Sequence, residues 1–281
     1  MKLQGTHSPG SCPCCSSDRF QCEHIYQERP AGETEFKFED YHRELWHCQI
    51  CGHYLSTTSM NLATLYKADY VDMTYGGSDG VRRAYERIMS LDPEKSDNVG
   101  RVDSIVKFSI KHFGDNTKLK VLDIGSGLGV FLGRVQHMTD WACTALEPDS
   151  RLAEHTSKVL GIEAVCEDYR KLEWNRKFDI ICLNKVLEHV EEPLGVLQRC
   201  RSDLAKGGFL YLELPDGEVA ADATDGYGRE EFFLEHHHVF SMASMEMLTR
   251  KAGFFSRQLE RVREPSTKYT LRSFLEPRYK N

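Results

Sequence analysis

No stretch of the 281-residue sequence approaches the ~18 to 20 continuous apolar residues that a membrane helix needs. The opening MKLQGTHSPGS also lacks the apolar run of a secretory signal. The expectation is therefore a cytoplasmic protein with no membrane partner. An excess of basic charge is missing too. Against 36 Lys and Arg stand 43 Asp and Glu, a net charge of -7, which gives no overall pull toward phosphate backbones or anionic lipid. Nucleic acid is accordingly a second choice of partner.

What is present is a chain 40% hydrophobic and 28% charged, with enough apolar material for one large domain or one domain plus a small satellite. In a reducing compartment its ten cysteines do not make a disulfide framework. Close-spaced cysteines then read as metal ligands and scattered ones as small core residues.

The close-spaced ones lie near the start. CPCC at 12–15 and CQIC at 48–51 give Cys12-x-x-Cys15 and Cys48-x-x-Cys51. Each such turn points two thiolates at one ion, and two turns complete a closed tetrahedral zinc site. Pro13 presets φ in one turn, and Gly52 tolerates positive φ after the other. The alternative is buried free cysteines at chance spacing. Cys14 is a substitute for Cys12, and Cys22, His24, His47 and His53 are spare donors nearby. With four protein ligands the ion has no open position, so its expected role is structural.

Residues 1–60 are thus expected to be a zinc-binding module and residues 61–118 a helical linker or lid. In the latter, Val102, Ile105, Val106, Ile110 and Phe113 recur at helical spacing, Asp97 or Asn98 offers an N-cap, and Gly114 ends the run. Tyr66, Tyr70 and Tyr75 are either half-buried packing residues or a cover over a ligand.

The most informative segment is LKVLDIGSGLGVFLGRV. An apolar strand ends at Asp123 and runs into Gly125, Gly127 and Gly129, then into a helix with Val130, Phe131 and Val135 on its apolar side. Glycines there let a nucleotide-type ligand approach backbone N–H groups at a helix N-terminus, beyond the carboxyl end of a parallel strand. The dinucleotide fingerprint would need a glycine at position 130, which is Val130. Glu147 follows the next strand, 22 residues beyond Gly125, where an acid can bind ribose hydroxyls. IEAVC leads to Glu167, Asp168 and Tyr169, FDIICLN ends at Asn184, and GGFLYLELPD is a fifth strand. Strands alternating with helices predict a parallel sheet with right-handed crossovers.

VLDIGSGLGVFL, Glu147, Asp168 and FDIICLNKVLEHV in this order resemble the class I S-adenosylmethionine-dependent methyltransferases, over residues 100–262. The resemblance implies a Rossmann-like α/β fold: a seven-stranded mixed sheet with helices on both faces, its last strand antiparallel, with KYTLRSF available for that hairpin. The transferase domain would cover residues 119–281. It further implies that Asp123, Gly125, Gly127 and Gly129 border the methionine part of the cofactor, Glu147 holds the ribose, and Asp168 and Tyr169 flank the adenine. Glu167 could serve in place of Asp168, and Asn184 would sit under the cofactor.

After FDIICLN comes NKVLEHV rather than the Asn-Pro-Pro-aromatic motif of amino-group methyltransferases. His189 in LEHV and the later EHHHVFS both fall on the ligand-binding face of an open α/β sheet. If that loop is extended, His236 and His238 share a side and His237 faces away. A cysteine module followed by LEHV and EHHHVFS is similar to the zinc-containing sugar methyltransferases acting on nucleotide-linked deoxysugars. That likeness maps the acceptor site to His189, Glu235 and His236. C-methylating members carry a further domain, which has no counterpart before Asn281. A tyrosine before the Glu-His pair is replaced here by Phe233 and Leu234. The expected reaction is O-methylation of a sugar, sugar phosphate or nucleotide-linked sugar. The rivals are RNA methylation, sugar C-methylation, and cofactor binding without catalysis. Sequence leaves the acceptor's identity and the oligomeric state open.

Overall fold

The computed structural model describes residues 5, 8–35, 40–60, 75–114 and 118–278. Tyr66, Tyr70 and much of the expected linker lie outside these residues.

Three strands open the described chain: β1 (Phe20–Tyr26), β2 (Arg43–Cys48) and β3 (Tyr54–Thr58). Two helices follow, α1 (Ser78–Met89) and α2 (Asp97–Phe113), separated by a 3₁₀ turn at Pro93–Lys95. Gly114 ends α2 at φ 90° as expected, but its N-cap is Ser96. Asp97 does not cap because its carboxylate accepts the N–H and hydroxyl of Ser266.

The larger body then alternates β4 (Lys120–Ile124), α3 (Val130–Met138), β5 (Ala142–Leu146), α4 (Ser150–Leu160), β6 (Glu163–Val165), β7 (Phe178–Asn184), α5 (Pro193–Asp203), β8 (Leu204–Pro215), α6 (Gly217–Asp222), β9 (His238–Val239), α7 (Met242–Lys251), β10 (Phe254–Arg263) and β11 (Tyr269–Pro277). Seven of these strands form one sheet in the order β10-β11-β8-β7-β4-β5-β6. Pairing is parallel from β6 to β8, and β11 enters antiparallel between β8 and β10. KYTLRSF lies on β11, the expected antiparallel last strand.

Period-two alternation divides the core between the two faces. Leu122, Ile124, Ile181, Leu183, Leu210 and Leu212 face α5 and α7, joining Val196, Leu197, Met245 and Leu248. Their neighbours Val121, Ile180, Cys182, Phe209 and Tyr211 face the other way and pack with Val102 and Ile105 of α2 and Phe131, Leu132 and Val135 of α3. Helices therefore cover both faces.

A second sheet, β1-β2-β3-β9, is built from both ends of the chain. Its fourth strand comes from the histidine-rich segment, with Leu55 opposite His238 and Tyr54 opposite Val239. The N-terminal module is thereby hydrogen-bonded into the loop that follows β8. Among the described residues, no helix is long and apolar enough to cross a membrane.

Candidate active site

The carboxyl ends of β4, β5 and β7 meet at the glycine turn. Gly125 donates its N–H to Leu146 O, tying the turn to β5. Gly125 has φ 68°, and a Cβ there would lie 2.7 Å from Val186 Cγ2. Gly127, at φ 51°, would carry a Cβ into open space, so this turn needs glycine for its backbone and leaves room above it. Glu147 reaches back over the turn. One carboxylate oxygen accepts the Gly127 N–H at 2.9 Å and the other the Asp149 N–H at 3.0 Å.

Asp123 is 1% exposed and accepts the Asn184 Nδ2–H at 2.8 Å. Burial pushes its carboxyl up to about 7, although the Asn184 amide and the Arg101 charge oppose the shift. Asn184 Oδ1 and Ser126 Oγ are buried with no hydrogen-bond partner among the described residues. Buried polar atoms are seldom left so, and these two suit a polar ligand seated on the turn.

Asp168 lies just past β6 and is held by Arg170 at 2.7 Å, which lowers its carboxyl below the ordinary value. Tyr169 is not brought to this face. Its ring enters the core at a turn beyond β6, its hydroxyl donating to Asp203 at 2.7 Å and Arg199 covering the ring at 4.6 Å.

A second constellation lies beyond the ends of β7 and β8. The 3₁₀ turn Leu187–His189 and residues 230–236 bring together His189 and His236, with ring centroids 4.8 Å apart. His189 Nδ1 bonds Glu235 O at 2.9 Å, and His236 Nδ1 bonds Glu231 O at 2.8 Å. A carbonyl only accepts, so both protons sit on Nδ1 and both Nε2 atoms keep their lone pairs. Burial lowers both imidazoles below their ordinary value. Glu235 thus positions His189 through its main chain, while its side chain lines the adjoining cavity. This cavity, of about 220 Å³, is lined by Lys185, Glu188, His189, Pro215, Glu230, Glu231, Phe233, Glu235, His236 and Lys268.

Glu188, Lys185 and Lys268 were not read from the sequence as site residues. Glu188 is fully buried, neither carboxylate oxygen has a hydrogen-bond partner among the described residues, and burial pushes it up to about 7. The only available signal was its place inside LEHV. Lys185 has φ 58°, rare for a side-chain-bearing residue, and donates to Thr270 Oγ1 at 2.8 Å. His238 does not share the His236 site. It lies 3.0 Å from His53 Nε2, because β9 is drawn into register with β3.

The N-terminal module clamps the loop at several points. Leu234 N–H donates to Glu33 at 2.6 Å, Arg43 donates to Phe232 O at 2.5 Å, and Ser56 N–H donates to His237 O at 3.0 Å. Its cysteines Cys12, Cys15, Cys48 and Cys51 bring their sulfurs within 4.8 Å of one another. Cys12 and Cys51 lie 3.5 Å apart, as do Cys15 and Cys48, close to the ~3.8 Å edge of a tetrahedron with ~2.3 Å zinc–sulfur bonds. Cys12, not Cys14, joins this group.

A family model described as a methyltransferase domain matches residues 96–258, a span that begins before β4 and takes in α2. The chain belongs to the class I S-adenosylmethionine-dependent methyltransferases. The ubiquinone biosynthesis O-methyltransferase of Glaesserella parasuis is 34% identical over 103 residues, covering 33% of this chain and 44% of that protein. Its counterpart in Histophilus somni is 30% identical over 106 residues, covering 34% and 44%. The match thus spans less than half of these curated relatives. Among solved structures, an S-adenosylmethionine-dependent methyltransferase from Clostridium acetobutylicum aligns with TM-score 0.52 at 13% identity, covering 72% of this methyltransferase and 99% of that chain. The plantazolicin methyltransferase BpumL aligns with TM-score 0.56 at 12% identity, covering 75% and 95%. At these identities the likeness concerns the fold.

Proposed function

We propose that this methyltransferase methylates a hydroxyl of a sugar, sugar phosphate or nucleotide-linked sugar. The observation that carries the reading is the cavity lining, in which only Pro215 and Phe233 are apolar among ten residues. Lysines, carboxylates and imidazoles suit the many hydroxyls of a polyol, since each buried polar group then finds a partner. A second reading is a phenolic hydroxyl, favoured by the names of the curated relatives. RNA methylation is less well supported by a polar cavity of about 220 Å³.

When bound, S-adenosylmethionine supplies a methyl group activated by its sulfonium. Asp123, Gly125, Gly127, Gly129 and Asn184 would hold its methionine part, Glu147 its ribose and Asp168 its adenine. Glu147 would exchange its bonds to Gly127 and Asp149 for ribose hydroxyls. Tyr169 would support that wall from within the core. At the acceptor end, His189 and His236 present their Nε2 lone pairs, and with Glu235 they would align the hydroxyl and draw off its proton, a contribution of about 10² to 10⁴ in rate. Cys12, Cys15, Cys48 and Cys51 would hold a structural zinc in a module of residues 1–60. Residues 61–118 would form the helical connection to a transferase domain of residues 119–281.

The test incubates the full chain and cofactor with nucleotide-linked sugars, a phenolic ubiquinone precursor and RNA, and reads methylation by mass. Methyl gain on sugar alone supports the proposal. Gain on the phenol alone overturns it in favour of the second reading.

A further inference from the structure

Glu188 and the two histidines beside it pose a problem that the cofactor end does not. A carboxylate removed from water normally acquires donors, because leaving it without them costs several kcal/mol. Glu188 is 0% exposed, and neither of its oxygens has a hydrogen-bond partner among the described residues. The nearest cation in sequence, Lys185, gives its hydrogen bond to Thr270 instead. Glu188 nevertheless lines the acceptor cavity together with His189 and His236.

The three side chains converge, each offering one ligand atom within 4.8 Å of the others. Each histidine donates Nδ1–H to a main-chain carbonyl, Glu235 O for His189 and Glu231 O for His236. That second partner is the usual arrangement behind a metal-binding imidazole, fixing the tautomer and turning Nε2 toward the ion. The two contributing segments are also joined, since His237 N–H donates to Glu188 O at 2.9 Å.

We propose that Glu188, His189 and His236 form a second metal site, separate from the cysteine cluster, for a divalent transition ion. Two imidazoles and one carboxylate suit zinc, iron(II), cobalt(II) or manganese(II) better than magnesium or calcium, which prefer all-oxygen surroundings. Three protein ligands leave coordination positions open, and those positions face the cavity. The site deepens the acceptor reading and rests on it for its role: with the ion bound, His189 and His236 would act as its ligands in place of taking the proton on their own Nε2 atoms, and the ion would orient and acidify the acceptor hydroxyl.

The probe is cobalt(II), added to the full chain carrying a single equivalent of zinc on its four cysteines. One further equivalent should bind, giving weak visible absorption without the intense near-ultraviolet band of a thiolate complex. Glu188→Gln, which keeps the shape of the side chain, and His236→Gln should each weaken binding by more than the roughly 10- to 100-fold that loss of an outer partner costs. His237→Ala, which leaves the three ligands in place, should bind normally. No second equivalent, or equal binding in both ligand variants, overturns the metal site. If the ion is absent while sugar methylation proceeds and depends on His236, the acceptor reading stands and the metal site falls. If the ion binds but only a phenol is methylated, the site stands and the sugar reading falls.

Discussion

The two ends of the cleft are made differently. At the cofactor end, β4, β5 and β7 deliver their polar groups from adjacent strand tips, and main-chain or neighbouring amides take up most of them: two N–H groups on Glu147 and the Asn184 amide on Asp123. At the acceptor end the side chains come from the 3₁₀ turn at 187–189, the loop at 230–236 and Lys268 after β10. That loop is held from outside the large sheet, by Glu33, Arg43 and β3. One end stands on the large sheet itself, whereas the other is held by a second sheet built from both ends of the chain. Perturbations of the module should therefore separate acceptor chemistry from cofactor binding.

The largest effect is expected from the cysteines. Cys48→Ser with Cys51→Ser should remove the thiolate-bound zinc and, with it, apparent folding free energy on the order of 10 kcal/mol. Methyl transfer should drop below detection while calorimetry still shows cofactor binding. An undiminished zinc content would reject the cysteine assignment, and lost cofactor binding would show that the two ends are not independent. Next in size is His236→Ala. Turnover should fall by about 10² to 10⁴ with cofactor affinity unchanged; wild-type turnover would make this histidine a purely structural one.

The same contrast explains how far the sequence could be read. Asp123, Gly125, Gly127 and Glu147 sit where a strand ends and a tight turn begins, so local spacing placed them. The sheet followed from alternating apolar strands and helices, as FDIICLN illustrates, its expected limits matching β7. Tyr169 was expected beside Asp168 from sequence adjacency alone, and its hydroxyl instead bonds Asp203 in the core, a partner 34 residues away that local spacing does not reveal. Glu188 and Lys185 were overlooked because their surroundings are assembled by residues far apart in sequence. His238 was paired with His236 by local alternation, a rule overridden by register with β3 and by His53.

A smaller effect belongs to the cofactor end. Glu147→Ala should weaken S-adenosylmethionine binding by about 1 to 3 kcal/mol, the usual range for a lost charged hydrogen-bond pair. Metal analysis should find the variant's zinc content unchanged, and scanning calorimetry its melting temperature. Unchanged affinity would place the ribose partner elsewhere.

The smallest expected effect is a pH dependence confined to the same end. Burial raises Asp123 from its ordinary 3.8 to about 7, with Asn184 and Arg101 pulling it down and Glu147 pushing it further up. An acid whose folded pKa is raised is bound to its proton more tightly in the folded state. Its contribution to stability is therefore full below about pH 4 and is lost as pH rises through about 7. Cofactor binding should run the opposite way. The ligand brings a sulfonium and an ammonium, both positive, which favour the ionised carboxylate and so release a proton on binding. If only that form binds, affinity should rise about tenfold between pH 6 and pH 8, equivalent to about 1.4 kcal/mol. Calorimetry in two buffers of different ionisation enthalpy would read the released proton directly. Asp123→Asn should flatten the profile, and a wild-type affinity that does not change over this interval would remove Asp123 from the cofactor's charged neighbours.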